Sequence, residues 1–250
     1  MNHSATTIPL VEIGPRTVTG YSSGAHRCVG VDDRYYYVKS PRLAGAKAVI
    51  SEWLAAGLAQ AMKLPVREAV LLQIPPELIT PDLRELGHGV AFGSLELPHA
   101  DDLTFSTAAK VPTALRAELF LFDYWIHNAD RALGSAGGNP NLLVAAGHPL
   151  AVIDHGNAFD QEFDLSTFLA HHAFADSRFE WLEIPRRLDW EARALAALPV
   201  IPTLWDGIPP EWHENSHGEI QHEMTLENVL LLLNRFTRDQ TGFWSPLLSS

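Results

Sequence analysis

Apolar positions recur along this chain with two different periods, and the change between them divides it. Arg34 to Lys39 is dense in Tyr and Val, which predicts a strand. Before it, Val18 to Val31 carries Gly20, Ser22, Ser23, Gly24 and Gly30, a flexible turn between short extended segments. Ala48 to Met62 places Val49, Ile50, Trp53, Leu54, Leu58 and Met62 at helical spacing. Pro65 stops that helix and Val66 to Ile74 returns to strand character. Pro75, Pro76 and Pro81 mark a loop, followed by a short segment at Val90 to Leu97. From Thr104 the pattern is mainly helical: Leu115, Leu119, Phe122 and Ile126 form one stripe, and Leu226 to Phe236 is another apolar helix. A strand-rich front and a helix-rich back predict an α+β chain in two lobes, residues 1–97 and 98–250, joined near Phe92 to Pro98.

Composition narrows the classes. Over 250 residues, hydrophobic residues make up 46% and charged residues 19%, values of a globular chain able to bury a core. Lys plus Arg number 18 against 30 Asp plus Glu, giving −12, and no basic stripe offsets that balance. General nucleic-acid or anionic-membrane binding is therefore not expected, although one positioned Lys can still hold a phosphate. The single Cys28 has no partner for an internal disulfide, as in a reducing compartment. Met1 to Pro15 lacks a cationic stretch followed by a long apolar one, and Ala48 to Met62 is short and contains Glu52 and Gln60. The expected location is cytoplasmic.

One hairpin interrupts the helical part. Leu142 to Val144 and Leu150 to Ile153 flank a turn at Gly147 and His148. Pairing about that centre sets Val144 against Ala151, Leu142 against Ile153 and Asn141 against Asp154. An amide and a carboxylate then meet at the open end of the hairpin, and Asp130 follows directly on the apolar helix beside them. Two oxygen ligands and a third acid are what a hard cation bridging phosphates needs. Read separately, Asp154-His155-Gly156 is also an ordinary turn after a strand. In the front half, Lys39 ends its strand on the face of Tyr35 and Tyr37. Glu52 is the only charged residue between Ala48 and Met62, and small neighbours at Ala48, Ala55, Ala56 and Ala59 leave room for another element. A buried carboxylate needs a cationic partner, and Lys39 is the natural one. Such a pair holds an ammonium where it reaches nucleotide phosphates. The Gly20–Gly24 loop can cradle phosphates through backbone N–H groups, but a Gly/Ser hairpin turn reads the same.

These residues, in this order, resemble the HipA-like kinases, particularly their short stand-alone branch. The matching pieces are Gly20 to His26, Tyr37-Val38-Lys39, Glu52-Trp53-Leu54, Leu64-Pro65-Val66, Phe92-Gly93-Ser94, Phe122 to Arg131, Asn139 to Val144 and Ile153 to Phe159. They span roughly residues 17 to 160; beyond them only helices and Ile208 to Trp212 look familiar. The Asp-Arg, Asn and Asp-x-Gly arrangement is also similar to that of type II phosphatidylinositol 4-kinases, so no substrate follows from it. The resemblance implies a bilobal protein-kinase-like fold with ATP and magnesium in the cleft. Asp130 then matches the acid that accepts the substrate hydroxyl proton, Asn141 and Asp154 the magnesium ligands, and Lys39 with Glu52 the phosphate-positioning pair. Gly20, Ser22, Ser23 and Gly24 match the phosphate loop, and Phe92, Gly93, Ser94 and Leu95 a hinge meeting adenine through its backbone.

Two features depart from the protein-kinase pattern. Asp130 and Asn141 stand eleven positions apart where the usual catalytic loop has five, so Leu133 to Gly138 must loop out and Asn139 becomes a rival ligand. The front loop also lacks the full glycine fingerprint. The expected activity is transfer of a phosphoryl group from ATP to a hydroxyl, Ser or Thr of a protein substrate, with autophosphorylation included. The alternative is a nucleotide-binding pseudokinase that serves a regulatory protein partner. His213-Glu214-Asn215-Ser216-His217 formally matches a zinc-protease pattern, but Pro209, Pro210 and Gly218 surround it and no apolar stripe supports a helix. His171, His172 and His222 are expected at the surface, Cys28 in the core, and Trp181, Trp190, Trp205 and Trp212 as packing anchors.

Overall fold

The computed structural model describes residues 7–16, 24–134, 137–146, 150–214, 217 and 219–248. Its strand-rich part is a closed barrel in the order β1 (Ile8–Arg16), β2 (His26–Gly30), β3 (Tyr35–Lys39), β5 (Gly89–Leu95), β4 (Ala69–Ile74). Alternation along β3 turns Tyr36 and Val38 into the barrel, where they meet Leu10, Cys28, Leu72, Ile74 and Ala91. Tyr37 and Lys39 consequently face a cleft on the other side. Burial of Cys28 pushes its thiol up to about 12, so it stays protonated, as expected of a core cysteine.

Sequence pattern does not reveal β1. Pro9, Gly14 and Pro15 break its strand signal, and its pairing with β2 shifts register twice. Gly14 is needed there because a Cβ would lie 2.4 Å from the Arg27 carbonyl oxygen. β1 closes the barrel by running parallel to β4, Ile8 beside Leu72.

The long helix forms at Ala46–Ala61, with Glu52 on its buried side. Elements near the end of the chain grip its back. The Trp53 Nε1 donates to the Leu204 carbonyl at 3.0 Å, and Gly57 leaves the space that Leu204 fills. Farther along, Glu211 accepts the Val90 N–H at 2.6 Å and the Trp212 indole donates to the Val90 carbonyl at 2.8 Å. Both partners of the Lys39–Glu52 pair are thus braced from the helical part, one through its helix and one through β5.

Trp125, Trp181, Trp190 and Trp212 are fully buried, and Trp205 is half-buried. The expected Leu226–Phe236 helix is split: Leu226–Leu233 ends at Asn234, whose amide turns back to the Leu230 carbonyl at 2.8 Å, and Arg235–Arg238 follows. The helix Pro210–His213 is a single turn and Glu214 is extended, which removes the helical spacing of the zinc-protease pattern. His213 instead faces His222 at 3.1 Å. No helix among the described residues is long and apolar enough to cross a membrane.

Candidate active site

Two short sheets and the loops around them carry the chemistry against the barrel. β9 (Leu142–Val144) pairs with β10 (Ala151–Val152) on one side and with β6 (Asp101–Asp102) on the other. The hairpin register differs by one residue from expectation: Ala151 stands opposite Leu143 and Val152 opposite Leu142. The Ile153 N–H accordingly donates to the Asn141 carbonyl at 3.1 Å, so Ile153 and not Asp154 is the backbone partner of Asn141. Such a slip alone would place facing side chains on opposite sides of the sheet. Asn141 and Asp154 nevertheless both reach Asp130, because each leaves its strand with positive φ, 50° and 56°. The insertion after Asp130 does loop out, as the tight hairpin β7 (Ala132–Gly134) and β8 (Gly137–Asn139). Gly138 has φ +156°, and a Cβ there would lie 2.4 Å from the Ala132 carbonyl oxygen. That hairpin returns Asn139 beside Ala132, within reach of Asp130.

Lys39, Glu52 and Asp154 meet. The Lys39 ammonium lies 2.5 Å from Glu52 Oε1 and 2.9 Å from Asp154 Oδ1. The second Glu52 oxygen accepts the His155 N–H at 2.8 Å. The room beside Ala48 is taken by Gly156, and Ser51 donates to the Ala158 carbonyl at 3.0 Å, so the helix and the Asp154 loop are tied along their length. Burial alone would lower the Lys39 pKa, but Glu52 and Asp154 outweigh it and hold the ammonium charged well above the ordinary lysine range. Burial works to raise Asp154 as well, and Lys39 brings its carboxyl below the usual value. Burial pushes Glu52 up against the pull of the same lysine.

Asp130 sits across a second cavity of about 400 Å³, lined also by Lys39, Ala48, Asn139, Asp154 and Asn157. Its Oδ2 accepts from the Asn141 amide at 3.2 Å and the Asn139 amide at 3.4 Å. Burial and then the charge of Asp154 raise the Asp130 pKa, against hydrogen bonds from Asn141 and Asn157. The first cavity, about 310 Å³, shares Lys39 and Asp154 and runs past Phe92, Ser94, Leu97 and Val152. The two spaces therefore meet on either side of the Lys39–Asp154 contact.

The segment expected as the hinge lies within β5. Phe92, Gly93 and Ser94 pair with Lys39, Val38 and Tyr37 on one side and with Leu71, Val70 and Ala69 on the other, so their backbones are spent in the sheet. Phe92 and Ser94 face the cleft through their side chains, whereas Gly93 faces Leu72 in the barrel. The cleft edge continues at Leu95, the last residue of β5, and at Leu97 beyond it. Gly20, Ser22 and Ser23 lie outside the described residues; Gly24 accepts from Arg16 Nε at 3.1 Å, and Ala25 after it lines the cleft.

A buried network behind the site went unread in the sequence. Asp123, on the helix Thr113–Trp125, receives Arg131 Nε at 2.6 Å, the Asn128 amide at 2.8 Å and His172 Nε2 at 3.0 Å. His172 Nδ1 accepts the Phe174 N–H at 3.1 Å, which puts the ring proton on Nε2, toward Asp123. His172 is thus buried, contrary to the surface position expected for it, because this carboxylate draws it inward. Burial opposes ionisation of Asp123, but Arg131 and His172 prevail and hold its carboxyl far below the usual range. Arg131 Nη1 then donates to the carbonyls of Pro140 and Asn141, at 3.0 and 2.7 Å, fixing the strained backbone at Asn141. Arg131 and Asn128 are visible in the sequence beside Asp130; nothing local marks Asp123, His172 or Asn157.

No curated protein matches the sequence. Among solved structures, that of the Helicobacter pylori proinflammatory kinase CtkA superposes with a TM-score of 0.52 at 15% identity, covering 98% of this chain and 100% of that one. At that identity the likeness establishes a shared fold. The HipA-like kinase family matches residues 10–247, nearly the whole chain and well beyond the motifs between residues 17 and 160. On that match, the chain belongs to the HipA-like kinase family.

Proposed function

We propose that this protein transfers the γ-phosphoryl group of ATP to a serine or threonine hydroxyl of a protein, its own chain included. The reading assigns residues 1–97 and 98–250 to the two lobes of a protein-kinase-like fold. The observation that carries it is Lys39, joined to Glu52 at 2.5 Å and Asp154 at 2.9 Å where the two cavities meet. In this assignment the base lies in the apolar cavity, the phosphates beside Lys39, and the acceptor hydroxyl beside Asp130. That hydroxyl oxygen attacks the γ-phosphorus, Asp130 takes its proton, and the bond to the β-phosphate oxygen breaks to release ADP. The raised pKa of Asp130 suits a group that must accept a proton.

Asp154 and Asn141 offer the hard oxygen donors that magnesium prefers, with Asn139 as a rival for the second position. Magnesium, when bound, neutralises charge between the phosphates. Asn139 and Asn141 both bond Asp130, so the long spacing does not by itself remove an amide from the site. The alternative, a pseudokinase serving a regulatory partner, would bind nucleotide without transferring phosphate.

Thermal melting tests the reading. ATP with magnesium at about 100 times its Kd should stabilise the fold by about 2.7 kcal/mol, a rise of roughly 5–10 °C for a chain of this size. Asp154→Ala should abolish most of that rise. An unchanged melting curve at millimolar nucleotide removes the proposal.

A further inference from the structure

The cleft end remote from Asp130 holds a cation that the phosphate site does not use. Arg67, just before β4, lines the first cavity. Its Nε donates to the Leu95 carbonyl at 3.1 Å and its Nη2 to the Glu96 carbonyl at 2.9 Å. These carbonyls belong to the last residue of β5 and to the one that follows it. The matching N–H groups are also spent, Leu95 on the Glu68 carbonyl and Glu96 on the Tyr35 carbonyl, each at 2.9 Å. Lys39 pairs with Phe92, so Leu95 lies three residues farther along, roughly 10 Å at a strand's rise. That is the order of the separation between the phosphates and the base of an extended nucleotide.

A guanidinium carries five N–H donors and no acceptor. Two are spent on the carbonyls, and Arg67 Nη1 has no partner among the described residues. An adenine amine arriving at this edge meets carbonyls that already receive an N–H. A guanine brings O6 and N7, adjacent acceptors whose pairing with an arginine is the commonest bidentate base contact. Asp101 and Asp102, which line the same cavity, offer acceptors for its N1–H and amino donors. The unused guanidinium donors at this end favour the base that presents a carbonyl.

We infer that Arg67 sets the nucleobase preference of the cleft, so that guanine nucleotides are taken as readily as adenine nucleotides. The inference rests on the phosphoryl-transfer reading of the same site. The test is equilibrium binding of ATP and of GTP, each with magnesium, to the full chain and to Arg67→Met and Arg67→Lys. In the wild type the two affinities should agree within about threefold. Arg67→Met should weaken GTP at least tenfold and leave ATP unchanged or tighter, with Arg67→Lys between. A wild type that prefers ATP tenfold or more, or an ATP:GTP ratio that neither variant moves, overturns the role of Arg67 while leaving ATP binding, and phosphoryl transfer, standing. Failure of both nucleotides to bind the wild type overturns both readings. Should Arg67→Met not fold, the wild-type ratio and Arg67→Lys still decide.

Discussion

Glu52→Gln is the sharpest perturbation of the site, because it alters charge and almost nothing else. The side chain is 3% exposed, and its two oxygens are taken by Lys39 at 2.5 Å and the His155 N–H at 2.8 Å. Glutamine keeps an oxygen for one of these partners and loses the charge-assisted bond, worth about 1.5–3 kcal/mol. Lys39 is left with Asp154 as its one anionic partner, at 2.9 Å, and that carboxylate is the one proposed to serve the metal. The lysine should therefore be drawn off the phosphate position, and kcat/KM should fall by about 10- to 100-fold at 1.4 kcal/mol per decade. The assay is phosphoryl transfer in a double-mutant cycle with Lys39→Met. Once the lysine is gone, Glu52→Gln should cost little more, giving an interaction energy of about 1 kcal/mol or above. Strict additivity, or a Glu52→Gln protein with wild-type kcat/KM, refutes the argument that this pair positions the nucleotide.

Asp130→Asn should leave nucleotide affinity within about threefold and reduce transfer by at least about 100-fold, the usual worth of a positioned base; equal loss of binding would show the role to be on the nucleotide side. Arg131→Met should cost about 3–5 kcal/mol in urea unfolding, because it strands the buried Asp123 carboxylate. Stability should also depend on acid. Burial, with the Arg131 charge adding, depresses His155 to about 4, so the ring is neutral in the fold and takes up a proton on unfolding below about 6.5. Its contribution is present above 6.5 and is lost as pH falls toward 4, on the order of 3 kcal/mol. Urea midpoints at pH 7.5 and 4.5 should differ less in His155→Gln than in the wild type. Leu204→Ala, which removes the side chain filling the notch at Gly57 behind the Glu52 helix, should cost about 2–3 kcal/mol, since Leu204 is only partly buried, and should raise KM for nucleotide; a purely structural loss leaves KM unchanged in the folded fraction.

The elements that bring Lys39 to Glu52 are short-range. A strand ending in a lysine, then a helix whose only acid points inward, are both written in local periodicity, and the pair stands thirteen positions apart. Asp130, Asn141 and Asp154 are legible for the same reason: each adjoins a helix or strand with a clear apolar pattern. What periodicity left open was register. Pairing of β9 with β10 falls one residue away from the symmetric choice. Asn141 and Asp154 converge on Asp130 through their own positive φ angles, a conformation that sequence permits for Asn and Asp but does not demand.

Other features belong to tertiary contact alone. β1 looks like broken, proline-bearing chain until β4 offers it an edge, and closure of the barrel then outweighs its weak propensity. His172 reads as a polar surface residue and is buried because Asp123, forty-nine positions earlier, needs its N–H. Nothing in the local sequence marks Arg67, yet β4–β5 pairing sets it against the Leu95 and Glu96 carbonyls at the end of the cleft. By itself the sequence determined which groups carry the chemistry and which elements bear them, since those depend on local period and residue type. Only the folded chain decided which buried polar groups meet, because burying a donor or a charge is costly until a partner from a distant segment arrives.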